Sequence, residues 1–125
     1  MVMRKMKVVA DTNFLLMPFQ FKINLDAELR RLFGKYEVYV PSAVLEELEN
    51  IGATDAKAAL KLASRYRVVK CPECMEADEC VLWVAKSIGG AVMTNDKVLR
   101  EWARREGLAV VYMRGKSHLV CDGVQ

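Results

Sequence analysis

Four carboxylates, Asp11 and Asp96 at the ends of apolar strands and Glu47 and Asp78 on helical stretches, have the chemistry of divalent-cation ligands. Asp11 closes the apolar run Lys7-Val-Val-Ala10, and Asp96 follows Ala91-Val-Met-Thr94 and Asn95, so both fall at the carboxyl ends of short strands. In open α/β sheets that is the end at which ligands bind. Small polar neighbours, Thr12 and Asn13 after the first and Thr94 and Asn95 before the second, can orient a carboxylate or a water. An aspartate at a strand-to-helix junction is also an ordinary helix cap, so neither residue speaks for chemistry alone.

Glu47 and Asp78 are selected by angle. At about 100° per residue, the stripe Val44, Leu45, Leu48 and Ile51 centres near Val44; Glu47 lies roughly 80–90° from it and Glu46 nearly opposite. The stripe Ala77, Cys80, Val81, Val84 and Ile88 puts Asp78 at its margin and turns Glu79 outward with Lys86. Both acids are therefore expected at the edge of the core, where ionisation is costly without a positive partner. No lysine or arginine is placed to serve all four. Mg²⁺ or Mn²⁺, which prefer carboxylate and water oxygens, resolves that conflict better than zinc.

Other chemistries fit less well. The one histidine, His118, lies in a segment with little to fix it, which argues against a Ser-His-Asp or Cys-His triad. Neither GxxxxGK[ST] nor GxGxxG occurs, so nucleoside triphosphates and dinucleotides are not indicated. Cys71-Pro-Glu-Cys74 has the spacing of half a zinc site or of a redox motif, but Cys80 and Cys121 supply no matching pair. Buried thiols or a disulfide are the expectation.

The elements that must position the acids alternate. Helices are expected over Asp26–Phe33, stopped by Gly34, over the Val44–Ile51 stripe after a Pro41-Ser42 cap, over Thr54–Ala63, over Glu76–Ile88, closed by Gly89-Gly90, and over Lys97–Glu106. Strands are expected at 7–10, 37–40, 67–70, 91–94 and 109–113, and residues 12–16 read as a loop or a helix. Near-continuous apolar strands between helices imply an α/β, three-layer domain around a central parallel sheet. One domain spans 1–125, with a loose tail from about residue 114.

Asp11-Thr-Asn-Phe-Leu, Val40-Pro-Ser-Ala-Val-Leu-Glu-Glu-Leu48, Ala77-Asp-Glu-Cys-Val81 and Met93-Thr-Asn-Asp96 resemble, in identity, order and spacing, the PIN-domain nucleases. The likeness runs over roughly residues 7–113. It implies a sheet of about five strands and a Mg²⁺- or Mn²⁺-dependent endoribonuclease site on Asp11, Glu47, Asp78 and Asp96, with Thr94 and Asn95 as polar support. Hydrolysis by in-line attack of an activated water would leave 5′-phosphate and 3′-hydroxyl ends.

Within that family, Leu15-Leu-Met-Pro-Phe-Gln-Phe-Lys22 and the helix from Asp26 are similar to archaeal relatives of the small-subunit processome nuclease. The first expectation is accordingly ribosomal RNA processing, with an rRNA precursor and ribosome-assembly proteins as partners. The alternatives are a VapC-type toxin ribonuclease with an antitoxin, or a catalytically weak RNA-binding scaffold. Homodimers are common in the family.

Composition is compatible with all three. A chain of 125 residues that is 53% hydrophobic can bury a real core. The balance of 19 basic and 16 acidic residues tolerates a polyanionic partner without the strong excess of a structural nucleic-acid binder. With no apolar run of membrane-spanning length and no signal-peptide pattern, the expectation is a cytoplasmic protein without a membrane partner. Lys97, Arg100, Arg104 and Arg105, with Lys5 and Lys7, are candidates to guide a phosphate backbone or a solvated helix face; Trp83 and Trp102 read as packing residues, and Asp26, Asp55 and Asp122 as surface acids.

Overall fold

Strands that are apolar on both faces are stable only between two helical layers, and the structure arranges them so. It is a computed structural model that describes residues 5–123. Strands β1 (Met6–Ala10), β2 (Tyr36–Pro41), β3 (Arg67–Val69), β4 (Ala91–Met93) and β5 (Val110–Arg114) are parallel, in the order β3-β2-β1-β4-β5. The helices are α1 (Thr12–Phe21), α2 (Leu25–Phe33), α3 (Ser42–Ile51), α4 (Thr54–Ala63), α5 (Ala77–Ile88) and α6 (Lys97–Arg105). Val8, Val9 and Ala10 of β1 and Ala91, Val92 and Met93 of β4 are fully buried.

From β1 the chain winds outward to β2 and β3, then crosses back to β4 and β5. Right-handed crossovers in these two opposite directions put α1–α4 on one side and α5 and α6 on the other. The order reverses between β1 and β4, which opens a crevice at their carboxyl ends. Gly89 and Gly90 allow the tight return into β4: Gly89 takes φ 68°, and a Cβ at residue 90 would meet the carbonyl oxygen of Lys7 at 2.9 Å.

Residues 12–21 resolve to a helix. Its sequence is apolar almost throughout, with Thr12 and Phe14–Pro18 buried, so no polar face marks its period. Phe14, Leu15 and Met17 anchor it, each burial worth about 1.5–3 kcal/mol.

The expected loose tail is a sixth strand, β6 (His118–Asp122), antiparallel to β5. Its turn has positive φ at both Gly115 and Lys116, and Leu119 is fully buried. Arg31 donates to the Leu119 carbonyl at 2.7 Å, and Glu28 accepts from its N–H at 2.8 Å, so α2 holds the strand down.

Ser42 does not cap α3. Its hydroxyl instead accepts from the backbone N–H of Cys71 at 2.8 Å, tying the β3–α5 loop to α3. Cys71 forms a disulfide with Cys80, nine residues away, while Cys74 and Cys121 are free. No helix among the described residues is long and apolar enough to cross a membrane.

Candidate active site

Asp11 sits where β1 gives way to α1, on the first side of the crevice. One carboxylate oxygen accepts from the Phe14 N–H at 2.7 Å and caps the helix; the other accepts from the Thr94 hydroxyl. The residue is 5% exposed. Burial pushes its carboxyl up to about 6, against the pull of those two hydrogen bonds, and the charges of Asp78 and Asp96 add to the rise.

Thr94, fully buried, links the two strand-end acids. Its oxygen donates to Asp11 and accepts from the Asp96 N–H at 3.0 Å. Asp96 caps α6 through one oxygen, which accepts from the Leu99 N–H at 3.0 Å. Capping and placement of a carboxylate at the crevice are thus one arrangement rather than rival readings. Asn95 braces the same loop: its Oδ1 accepts from the Met113 N–H at 2.8 Å and its Nδ2 lies 3.3 Å from Met17 Sδ. Thr12 is buried with its hydroxyl unpartnered among the described residues, and Asn13 is exposed.

Glu47 and Asp78 are exposed, not at the margin of the core. On α3 the buried stripe narrows to Val44 and Leu48, and Ile51 is 46% exposed, so the margin lies closer to the stripe than its four residues imply. On α5 full burial begins at Cys80, two residues beyond Asp78. The two acids nevertheless face each other across one open pocket, together with Glu76 and Ala77. Glu46 lines a different groove, with Cys71 and Cys74.

The Asp78 carboxyl is held above its ordinary value by partial burial, then by the charges of Asp96, Glu47 and Glu76. Asp11 feels Asp78 and Asp96 in turn, so the four acids form one electrostatic group. Glu76, expected from the sequence only as the start of a helix, is a fifth member. Its spacing, two residues before Asp78 at a helix N-terminus, was the available signal.

Every ion pair among the described residues lies elsewhere: Arg31–Glu28, Arg65–Asp26, Arg67–Glu37, Lys86–Glu106 and Arg104–Asp122. The group has no internal counter-charge there. Its donors are all oxygens, and a hard divalent cation fits that chemistry and the uncompensated Asp11. In their present side-chain positions, no three described His, Cys, Asp or Glu residues converge closely enough to hold one ion.

The expected basic guide is dispersed. Lys5 and Lys7 flank the opposite end of β1, Arg104 is bound to Asp122, and the Arg100 guanidinium stacks 4.4 Å from the Tyr112 ring centre. Trp83 and Trp102 are 39% and 37% exposed, more than packing residues require. Asp26 is a structural anchor, accepting from Tyr36 at 2.6 Å, Arg65 at 2.7 Å and Tyr66 at 3.1 Å.

Known proteins match this fold and chain length. A family model described as a PIN like domain matches residues 8–116. Ribonuclease VapC4 of Methanocaldococcus jannaschii is 34% identical, over 94% of this chain and 98% of its own. Ribonuclease VapC9 of Archaeoglobus fulgidus is 30% identical, over 85% and 82%. Among solved structures, the PIN domain endonuclease Utp24 superposes with a TM-score of 0.83 at 26% identity, covering 94% of this chain and 92% of that one.

Proposed function

Since the chain belongs to the PIN-like domain family, we propose that it is a divalent-cation-dependent endoribonuclease of the VapC type, cutting RNA at Asp11, Glu47, Asp78 and Asp96. One observation carries the reading: at a sheet switch point a buried, ionisable Asp11 lies in the field of Asp78 and Asp96, and Asp78 in that of Glu47, with no cation paired to any of the four among the described residues. Such a group is costly to fold unless it is used.

Asp11, Glu47, Asp78 and Asp96 would hold the Mg²⁺ or Mn²⁺. Bound there, the cation supplies Lewis-acid stabilisation of charge on the phosphoryl oxygens and a more acidic water. Asp11 and Asp96 are fixed by the caps of α1 and α6 and by Thr94, so they define a rigid side of the site. Glu47 and Asp78 make no side-chain hydrogen bond among the described residues and are free to adjust to the substrate. Thr94 orients Asp11 and lowers its proton affinity.

The VapC reading takes precedence over ribosomal RNA processing, reversing the order expected from the sequence. Two archaeal relatives of similar length bear the name ribonuclease VapC. The processing reading keeps support from the motif at Leu15–Lys22 and from the likeness to a PIN endonuclease of known structure. Induced expression separates them. A VapC-type enzyme arrests growth, with RNA cut at a few sites, and an Asp96→Asn variant does not. A processing enzyme causes no arrest, and its depletion leaves uncut rRNA precursor.

A further inference from the structure

An all-carboxylate site repels its own polyanionic substrate until cations arrive, so affinity for RNA must come from positive surface beside it. Helix α6 and the start of β1 provide little of it: Arg104 is bound to Asp122, Arg100 stacks on Tyr112, and Lys5 and Lys7 lie at the other end of β1, which leaves only Lys97, beside Asp96, and Arg105 exposed and unpaired among the described residues. We propose that the β5–β6 turn and the end of α1 form a track for single-stranded RNA leading to the acids. Arg114, Lys116 and Lys22 would meet phosphates, and Phe21 would offer a stacking face. The proposal rests on the ribonuclease reading and adds the substrate's path.

Position supports it first. Strand β5 runs parallel to β4, and β4 to β1, so the turn after Arg114 projects from the same sheet end as Asp11 and Asp96. Asn95, next to Asp96, accepts from the N–H of Met113, and Arg114 is the following residue. Helix α1 makes the same journey: it starts at Asp11, touches Asn95 through Met17, and one turn later brings Phe21 to Lys116, whose ammonium lies 5.9 Å from the ring centre.

Charge supports it second. Residues 114–118 and Lys22 are exposed, and neither Arg114, Lys116 nor Lys22 pairs with an acid among the described residues; Arg114 donates to the Tyr112 hydroxyl at 3.3 Å, an exposed neutral contact that a phosphate can displace. The acid facing this turn, Glu28, is already engaged by Arg31 and the Leu119 N–H. Phe21, 41% exposed, offers the apolar surface on which an unpaired base stacks, and this favours a single strand over a duplex.

The test measures binding of a fluorescein-labelled single-stranded 12-mer RNA in EDTA across a salt series. Wild type is compared with an Arg114→Gln/Lys116→Asn double variant and with Phe21→Leu. Asparagine tolerates the left-handed backbone at 116 (φ 60°), and unchanged melting curves check folding.

Loss of two phosphate contacts should flatten the slope of log K against log salt by about 1.4 and weaken binding about tenfold at low salt. Phe21→Leu should weaken binding about fivefold or more with the slope kept. An unchanged slope in the double variant overturns the proposal, including the case where that variant instead loses an acidic peptide such as polyglutamate. Hydrolysis of bis(p-nitrophenyl) phosphate with Mn²⁺ should be equal in all three proteins. Its absence from wild type would count against the nuclease reading, while the binding slopes still decide the track.

Discussion

Replacing Asp11 with asparagine should abolish cleavage and yet stabilise the protein at neutral pH. The Asp11 carboxyl is raised from its ordinary 3.8 to about 6, chiefly by burial. The folded state therefore holds this proton more tightly than the unfolded chain does. Stability from this group is complete below about pH 4 and is lost as pH rises through about 6. At roughly 1.4 kcal/mol per pH unit, the loss at pH 7.5 approaches 3 kcal/mol.

The amide introduced by Asp11→Asn keeps the acceptor for the Phe14 N–H and stays neutral, but it reverses the bond to Thr94, at a cost of about 1 kcal/mol at every pH. The net expectation without metal is a gain of about 2 kcal/mol at pH 7.5 and a loss of about 1 kcal/mol at pH 3. Urea unfolding in EDTA, followed by Trp83 and Trp102 fluorescence, measures both. At neutral pH the gain corresponds to a melting temperature higher by about 8 °C. A variant less stable than wild type by the same amount at both pH values would refute the reasoning, and leave Asp11 as a helix cap alone.

Three further outcomes follow from the same geometry. Thr94→Val removes a hydrogen bond that holds the Asp11 proton affinity down, so the acid limb of the pH–rate profile should move to higher pH while stability falls by about 1–2 kcal/mol. Mn²⁺ at a hundred times its dissociation constant should stabilise wild type by about 2.7 kcal/mol in thermal unfolding, and much less in an Asp11→Asn/Asp78→Asn double variant. Reducing the Cys71–Cys80 disulfide opens a nine-residue span and should cost about 2–3 kcal/mol in urea unfolding; with it, the loop bearing Glu76 loosens and activity falls.

Much of this was legible because apolar strands and glycine stops are local signals. Gly34, Gly52 and Gly89 end α2, α3 and α5 where the sequence puts them. Asp11 and Asp96 were legible for a related reason, since the end of an apolar run marks the end of a strand. Helix α1 was not, because its exposed positions include Phe19 and Phe21, so an apolar sequence runs through buried and exposed faces alike and leaves little amphipathic period.

Strand β6 is as long as β1 and β5, but what fixes it is distant in sequence. The positive-φ turn at Gly115-Lys116 and the alternation of Leu119 with Cys121 were its signals, but α2 supplies its anchors from some 90 residues away. Angular placement put Glu47 and Asp78 at the margin of the core, whereas both are exposed, although they line one pocket. Periodicity reports direction, whereas exposure depends on how far the neighbouring layer extends. The Cys71–Cys80 pairing is a tertiary fact, with half of it on α5, that CxxC spacing conceals.

The most direct test of the central claim is cleavage of a labelled structured RNA, beside a matched single-stranded DNA, with Mn²⁺, Mg²⁺ or EDTA, by wild type, Asp11→Asn and Asp96→Asn. The account predicts RNA cleavage that requires the metal and vanishes in both variants, each shown to be folded. Equal activity in the variants, or RNA bound but never cut by wild type with metal present, would contradict it.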